Sequence, residues 1–299
     1  MREVKTVAVI GAGTIGASWA AYFLSRGLAV RASDPAAGAP ALIARMAAGI
    51  GADTSRLVFD HDPVVAATGA DFIQENAPER YEVKLGVLPA ISRVVGPEVP
   101  IASSSSGLLV SRLREGCAHP GRVLIGHPFN PPHLVPLVEV VSGEGADTAA
   151  VEATMAFYHA VGKYPIHIRK EVPGHVANRL QAALWREVVH LVAEGVVSVA
   201  DADAAISEGP GLRWALMGPT LTFHLAGGDG GIRHFLGHLL PAMQGWWDDL
   251  GTPRVDAGLM EKLVAGVAEE EAGRGLATLA ARRDRFLAEL MALRGRIDG

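Results

Sequence analysis

The chain has 299 residues, of which 49% are hydrophobic and 20% are charged, so it can form one large or two medium domains and is not disordered. Its net charge of -5 gives no electrostatic reason to bind nucleic acid or an anionic membrane. Mean hydropathy is +0.24, but no uncharged apolar run reaches the about 18 residues of a membrane-spanning helix. Because the N-terminus shows no signal-peptide pattern and Cys117 is the one cysteine, we expect a cytoplasmic protein.

Short apolar runs alternate with helical stretches through the first half of the chain. The predicted strands are residues 7–10, 29–32, 58–59, 72–73, 101–102, 123–125, 137–141 and 164–168. Alternation of this kind predicts an α/β fold with a mainly parallel sheet.

The pattern changes near residues 172–174, beyond which no strand is predicted. Residues 175–196 have a helical apolar stripe, Ser198 and Asp201 indicate the start of another helix, and residues 260–294 are helical with a break near Gly273 and Gly275. We therefore predict two domains, residues 1–173 and an all-helical domain at residues 174–299.

A glycine-rich loop joins the first predicted strand to the first predicted helix. In such a loop the first glycine permits a tight turn, the second lets the backbone approach a pyrophosphate, and the third lets helix and strand pack closely. Asp34 ends the next strand, where a carboxylate binds the ribose hydroxyls and repels a 2′-phosphate. The fold is thus predicted to be of the Rossmann type, with NAD favoured over NADP. The loop residues are Gly11, Ala12, Gly13, Thr14, Ile15 and Gly16.

Three further segments carry polar residues at or inside apolar strands. Ser106 ends a serine run after one strand, and His127 follows another, so both are expected at the carboxyl edge of the sheet. Glu139 lies inside an apolar run, where a carboxylate needs a partner. A histidine held by a carboxylate is suited to removing the proton of an alcohol. Hydrolysis by a Ser-His-Glu triad is a weaker alternative because no G-x-S-x-G elbow surrounds Ser106.

The sequence resembles the 3-hydroxyacyl-CoA dehydrogenase family over nearly its whole length. The segments that carry the resemblance are GAGTIG, QENAPERYEVK, the serine run, GHPFNP, LVPLVEVV and GHVANRL. The resemblance implies that His127 is the base, Glu139 its partner, Ser106 a hydrogen-bond donor to the reacting oxygen, and Asn178 a second polar group that holds the substrate and His127. It also implies contacts to the nicotinamide half of NAD from three residues: Glu79, Lys84 and Asn130.

Two features distinguish the chain from the acyl-CoA members of this family. Arg213 and Trp214, within GLRWALMGP, resemble the branch of L-gulonate 3-dehydrogenase, lambda-crystallin and carnitine 3-dehydrogenase, which implies a free hydroxy acid as substrate and a role for both residues in binding it. Only residues 35–56 separate Asp34 from Leu57, a shorter segment than the helical hairpin with which the acyl-CoA enzymes bind CoA. The short segment therefore argues against a CoA thioester as the substrate.

The leading expectation is an enzyme that transfers a hydride from the 3-hydroxyl carbon of a free L-3-hydroxy acid, resembling L-gulonate, to NAD. Carnitine and a short L-3-hydroxyacyl-CoA stay open as alternatives, as does a catalytically silent, crystallin-like NAD-binding protein. We expect no metal. We also expect a homodimer formed through the helical domain. That domain carries more aromatic surface than a small helical layer can easily bury, from Trp185, Trp214, Trp246 and Trp247.

Overall fold

The computed structural model describes residues 3–298. All eight predicted strands are present: β1 (Thr6–Ile10), β2 (Ala29–Ser33), β3 (Leu57–Asp60), β4 (Phe72–Glu75), β5 (Ile101–Ser103), β6 (Val123–Pro128), β7 (Leu137–Val141) and β8 (Tyr164–Ile168). They form one sheet in the order β3-β2-β1-β4-β5-β6-β7-β8. Only the β6–β7 pair is antiparallel among these strands. The fold prediction is confirmed: a Rossmann-type, mainly parallel sheet precedes a helical region.

Helices connect the strands and continue beyond the sheet. Those of the first half are α1 (Thr14–Ser25), α2 (Ala39–Gly49), α3 (Pro63–Ala67), α4 (Tyr81–Ser92), α5 (Val110–Leu113) and α6 (Thr148–Ala160). Those that follow β8 are α7 (Ala177–Ala193), α8 (Val199–Ser207), α9 (Pro210–Trp214), α10 (Pro219–Ala226), α11 (Gly231–His238), α12 (Leu240–Asp249), α13 (Ala257–Glu271) and α14 (Leu276–Asp298). Single 3₁₀ turns lie at Pro120–Arg122 and Gly228–Gly230. The described chain divides into two compact units, one ending at Arg179 and one beginning at Leu180. The predicted domain boundary at residue 173 stays a prediction.

The sheet of the first unit has a helical layer on each face. Successive strand residues alternate between the two layers, as the period-two geometry of a strand requires. Val7 and Val9 pack with α1, α2 and α6, whereas Ala8 and Ile10 pack with α3, α4 and α5. Because both faces of these strands are buried, their sequences are continuous apolar runs. Because β1 to β6 run parallel, their carboxyl ends meet at one edge of the sheet.

The second unit is built from helices whose starts have clear local causes. The Ser198 hydroxyl accepts the backbone N–H of Asp201 at 3.0 Å, which confirms the predicted start of α8. Pro210 lies at the break between α8 and α9. It begins α9, because a proline at the first helical position needs no N–H partner.

Few apolar side chains of the second unit are buried within the chain. Its core cluster consists of Val188, Val192, Val199 and Ala202. Large exposed apolar residues include Trp185 on α7, Trp246 and Trp247 on α12, Val264 on α13, and Phe286 on α14, and others share those helices. Across residues 3–298, no helix combines the length and apolar character needed to cross a membrane.

Candidate active site

The glycine loop at the carboxyl end of β1 has the geometry of a dinucleotide site. Gly11 has φ +87°, which favours glycine. A Cβ at Gly16 would lie 1.8 Å from the Gly11 carbonyl oxygen, so only glycine lets α1 approach this turn. A Cβ at Gly13, in contrast, would meet no atom within 4 Å. The space beside Gly13 is open at the N-terminus of α1, where free N–H groups and the helix dipole favour a phosphate.

Asp34 lies directly beside this loop. Its Oδ2 accepts the Ala12 N–H at 2.7 Å and its Oδ1 accepts the Ala36 N–H at 2.8 Å, so the carboxylate is fixed at the end of β2. Arg31 on the same strand donates instead to the carbonyls of Val65 and Ala66, each at 3.1 Å. The Arg31 guanidinium is therefore not available to bind a 2′-phosphate. The open loop and the fixed carboxylate fit NAD.

His127 and Glu139 form a buried pair across the one antiparallel junction of the sheet. They are opposed residues in the β6–β7 register, and His127 Nδ1 lies 2.8 Å from Glu139 Oε2. Because an ionised carboxylate only accepts hydrogen bonds, Nδ1 carries the proton and Nε2 keeps its lone pair. Residues 129–136 connect β6 to β7 and reverse the chain, which sets His127 opposite Glu139.

Glu139 is held ionised although it is fully buried. Its Oε1 accepts the N–H groups of Val176 and Ala177, at 2.9 and 2.8 Å, where α7 begins. Burial raises the pKa of Glu139, but the hydrogen bonds from His127, Ala177 and Val176 outweigh it, and the pKa lies below its ordinary value. An anionic Glu139 fixes the His127 tautomer and stabilises the imidazolium that forms when His127 accepts a proton.

The serine run divides into three structural hydroxyls and one exposed hydroxyl. Ser103 donates to Glu75 at 2.5 Å, Ser104 to Asn76 at 2.6 Å, and Ser105 to Glu79 at 2.7 Å. Ser106 is exposed, and its hydroxyl has only a 3.4 Å contact with Glu79. The structure thus leaves Ser106 as the member of the run whose hydroxyl is available to a substrate.

Glu79 and Lys84 both bind polar groups of the chain itself. Glu79 Oε1 accepts the N–H groups of Ser106 and Gly107, both at 2.9 Å, as well as the Ser105 hydroxyl, so it clamps the serine loop. Burial raises the pKa of Glu79, but these hydrogen bonds and the charge of Lys84 bring it below its ordinary value. Both residues stay predicted NAD contacts.

Lys84 is 1% exposed, and its Nζ lies 2.9 Å from both oxygens of Glu75. It also donates to the Ala77 carbonyl at 3.0 Å. A buried ammonium with these acceptors does not project from the sheet edge, so a direct contact with NAD would require the Glu75–Lys84 pair to open. Sequence reasoning missed Glu75, although the polar residue that ends an apolar strand is the signal that identified Asp34.

The remaining predicted site residues lie in two places. Asn178 Nδ2 donates to the Ser106 carbonyl at 3.4 Å, and Asn130 is exposed just after β6. Arg213 and Trp214 lie in the second unit on α9, and both side chains are exposed. Among residues 3–298 no cluster of His, Cys, Asp or Glu is arranged to hold a metal ion. The first unit therefore brings together Ser106, His127, Glu139 and Asn178 beside the glycine loop's sheet edge.

A second histidine was also missed. His175 is 2% exposed, and its ring centroid lies 5.3 Å from that of His127. The sequence pattern predicted that a helix covers residues 175–196, but α7 begins at Ala177 because Gly174 and His175 have φ values of +74° and +52°. No sequence signal marks a non-glycine residue in that conformation.

Comparisons with known proteins agree with this geometry. Residues 6–172 match the model of the 3-hydroxyacyl-CoA dehydrogenase NAD-binding domain, and residues 174–277 match that of the C-terminal domain. An L-carnitine dehydrogenase of Streptomyces coelicolor is 46% identical, over 99% of this chain and 96% of its own. One of Pseudomonas aeruginosa is 45% identical, over 98% of this chain and 95% of its own.

Among solved structures, that of 5-formyl-3-hydroxy-2-methylpyridine 4-carboxylic acid 5-dehydrogenase, an NAD⁺-dependent dismutase, is 28% identical with a TM-score of 0.79 and covers 99% of both chains. The predicted NAD cofactor is confirmed at the level of the domain. From the glycine loop, the His127–Glu139 pair and these matches, we conclude that the chain belongs to the 3-hydroxyacyl-CoA dehydrogenase family, as an NAD-dependent dehydrogenase that acts on a CH–OH group.

Proposed function

We propose that this enzyme oxidises the 3-hydroxyl group of L-carnitine with NAD. Carnitine is itself a free 3-hydroxy acid, so the proposal keeps the predicted substrate class and changes the favoured member. The observation that carries it is the similarity, along almost the entire chain, to relatives named L-carnitine dehydrogenase. The L-gulonate-like expectation has no comparable support.

The proposed chemistry uses the His127–Glu139 pair as the base. His127 Nε2 takes the proton of the substrate hydroxyl, and Glu139 stabilises the imidazolium through the 2.8 Å contact to Nδ1. Ser106 donates a hydrogen bond to the reacting oxygen, and Asn178 assists it. Bound NAD would supply the acceptor for the hydride that leaves the carbon bearing this hydroxyl. The products are the 3-oxo acid, NADH and a proton.

The substrate carries a carboxylate and a trimethylammonium group, and each needs recognition. We propose Arg213 for the carboxylate, because a guanidinium makes two parallel hydrogen bonds to it. No ion pair involving Arg213 is present in the described chain. Trp214 is 37% exposed, and a tryptophan ring face binds quaternary ammonium groups.

The alternative of a short 3-hydroxyacyl-CoA is less favoured. The segment between β2 and β3 contains one helix, α2, of 11 residues. One helix of this length spans only about 16 Å. It is shorter than the helical hairpin that the resemblance implies for CoA binding.

The proposal is tested by the formation of NADH from NAD and a panel of substrates. L-carnitine is expected to give the highest kcat/KM, and 3-hydroxybutyrate, which lacks the trimethylammonium group, is the matched control. γ-Butyrobetaine, which lacks the 3-hydroxyl, is expected to inhibit without yielding NADH. Preferred oxidation of L-gulonate or of 3-hydroxybutyryl-CoA would overturn the assignment. NAD binding without turnover of any member would favour the silent, crystallin-like protein.

We also propose a homodimer in the cytoplasm. Trp185, Trp246 and Trp247 are 58%, 65% and 56% exposed in the single chain, and such apolar surface is characteristic of an interface. Light scattering is expected to give twice the chain mass of 31.3 kDa, and a monomer at micromolar concentration would contradict the proposal. The cytoplasmic location rests on Cys117, the one cysteine of the sequence.

A further inference from the structure

His175 lies beside the proposed base but has no part in the chemistry described above. It is the second of two consecutive residues with positive φ, and a non-glycine residue rarely adopts this conformation. Its ring is buried next to that of His127. Backbone strain that persists in a buried position beside a reaction site is a reason to look for a function.

One nitrogen of the His175 ring is paired and the other is not. Nε2 lies 3.0 Å from the Ser105 carbonyl oxygen. Because a carbonyl only accepts, Nε2 must carry the proton in this contact, which leaves Nδ1 as an acceptor. Nδ1 is buried and has no hydrogen-bond partner among residues 3–298. The imidazole therefore acts here as a donor of one hydrogen bond.

That hydrogen bond holds one of the two peptide groups that flank Ser106. The peptide group before Ser106 is bound at its oxygen by His175 and at its N–H by Glu79. The peptide group after Ser106 is bound at its oxygen by Asn178 and at its N–H, on Gly107, by Glu79 again. The backbone of Ser106 is thus held from both sides.

The turn formed by Gly174 and His175 also sets the position of Glu139. The chain reverses at Gly174 and His175, and the next two N–H groups, of Val176 and Ala177, both donate to Glu139 Oε1. The segment from residue 174 to 178 therefore connects the serine loop to the His127–Glu139 pair. Within that segment, His175 supplies the buried side-chain contact to the serine loop.

We propose that His175 is a positioning residue, which fixes the Ser106 hydroxyl relative to His127 by donating its Nε2 proton to the Ser105 carbonyl. The proposal rests on the proposed acid–base chemistry but not on the identity of the hydroxy acid. The charged and titratable groups that face the ring are His127, Glu139 and Glu79. Burial lowers the pKa of His175 despite the two carboxylates and the Ser105 hydrogen bond, so the ring stays neutral beside the imidazolium that forms on His127.

Two amide substitutions separate this donor role from the backbone conformation. In His175→Gln the side-chain amide nitrogen lies nearly as far from the backbone as Nε2 of histidine does, so the hydrogen-bond donor is retained without a titratable ring. In His175→Asn the amide reaches only the place of Nδ1, although asparagine adopts a positive φ more readily than glutamine. We expect His175→Gln to keep kcat within about threefold of wild type and His175→Asn to lose about ten- to hundredfold, as misplacement of a reacting group does.

Both variants are assayed with whichever hydroxy acid the wild-type enzyme oxidises, so failure on L-carnitine overturns the substrate proposal alone. The dissociation constant of NAD, measured by fluorescence, is expected to be unchanged in both. Wild-type turnover in His175→Asn would overturn the proposal, and so would equal losses in the two folded variants. If either variant fails to fold, ¹⁵N spectra of wild-type histidines decide: we expect a neutral Nε2–H tautomer for His175, and an Nδ1–H tautomer or an imidazolium at neutral pH would refute the role.

Discussion

Replacement of Glu139 by glutamine changes the charge of the buried pair with almost no change in size. The carboxylate uses one oxygen for two backbone N–H groups and the other for His127 Nδ1. Glutamine has one oxygen and one NH₂ group. Since the N–H groups of Val176 and Ala177 only donate, the amide oxygen must face them, and the NH₂ group must face His127. Nδ1 would then have to accept, and the proton would move to Nε2.

The expected result is loss of the base rather than a mild defect. General-base catalysis contributes about 10²- to 10⁴-fold, so Glu139→Gln should lower kcat at least a hundredfold at neutral pH, equivalent to about 2.7 kcal/mol in the barrier. His127→Ala removes the base altogether and should keep the NAD affinity, so its loss of kcat measures the full contribution of the base. Glu139→Asp keeps the charge and is the matched control, which we expect to lose less activity.

Stability should change in a defined direction. Two hydrogen bonds to a charged acceptor become hydrogen bonds to a neutral one, at a cost of about 1 kcal/mol each. The pKa of Glu139 is lower in the folded protein, so its stabilisation is present above the unfolded pKa and lost as the pH falls through the folded pKa. Urea unfolding of Glu139→Gln should therefore show a weaker loss of stability on acidification.

Retention of more than a tenth of wild-type kcat in this variant would refute the tautomer argument.

Three further predictions concern other residues. Asp34→Ala should weaken NAD binding and narrow the preference over NADP, measured as the ratio of the two Kd values; a wild-type preference for NADP would contradict the ribose argument. Lys163 is 5% exposed, and burial together with the charge of Arg26 lowers its pKa from 10.5 to about 7. The free energy of unfolding should therefore rise from pH 7 to pH 10.5 by up to about 1.4 kcal/mol per pH unit. Lys163→Met should remove this rise, and equal slopes in the variant and the wild type would disprove the effect. Arg213→Lys should raise KM for L-carnitine tenfold or more, since a hydrogen bond to a charged group contributes about 1.5–3 kcal/mol. It should not raise KM for the methyl ester of L-carnitine, which keeps the trimethylammonium group but has no carboxylate; equal losses would assign Arg213 to the fold.

Local sequence patterns predict most of the strands and helices of the first unit. Each strand is an apolar run bounded by turn residues, and the glycine loop is recognisable because Gly11 and Gly16 meet steric limits that no other residue satisfies. The approach of His127 to Glu139 followed from the cost of burying an unpaired carboxylate. These inferences needed only neighbouring residues and general rules of burial.

Other features depend on contacts that are distant in sequence. The burial of Lys84 follows from its pairing with Glu75, and burial of an ion pair depends on the fold around it. The positive φ of His175 directly precedes the two N–H groups that bind Glu139, which is 37 residues from Val176 in sequence. In the second unit, α9 to α12 have only 5 to 10 residues each, so their stability depends on packing rather than on local preference.

The engagement of Arg31 has a consequence for engineering the coenzyme preference. Its guanidinium donates to the carbonyls of Val65 and Ala66 near the end of α3. Removal of the Asp34 carboxylate would admit a 2′-phosphate but would bring no cation to it, so such a variant would tolerate NADP without anchoring it. A redesign for NADP would have to introduce a new arginine after β2, since recruiting Arg31 would leave two carbonyls of α3 without their donors.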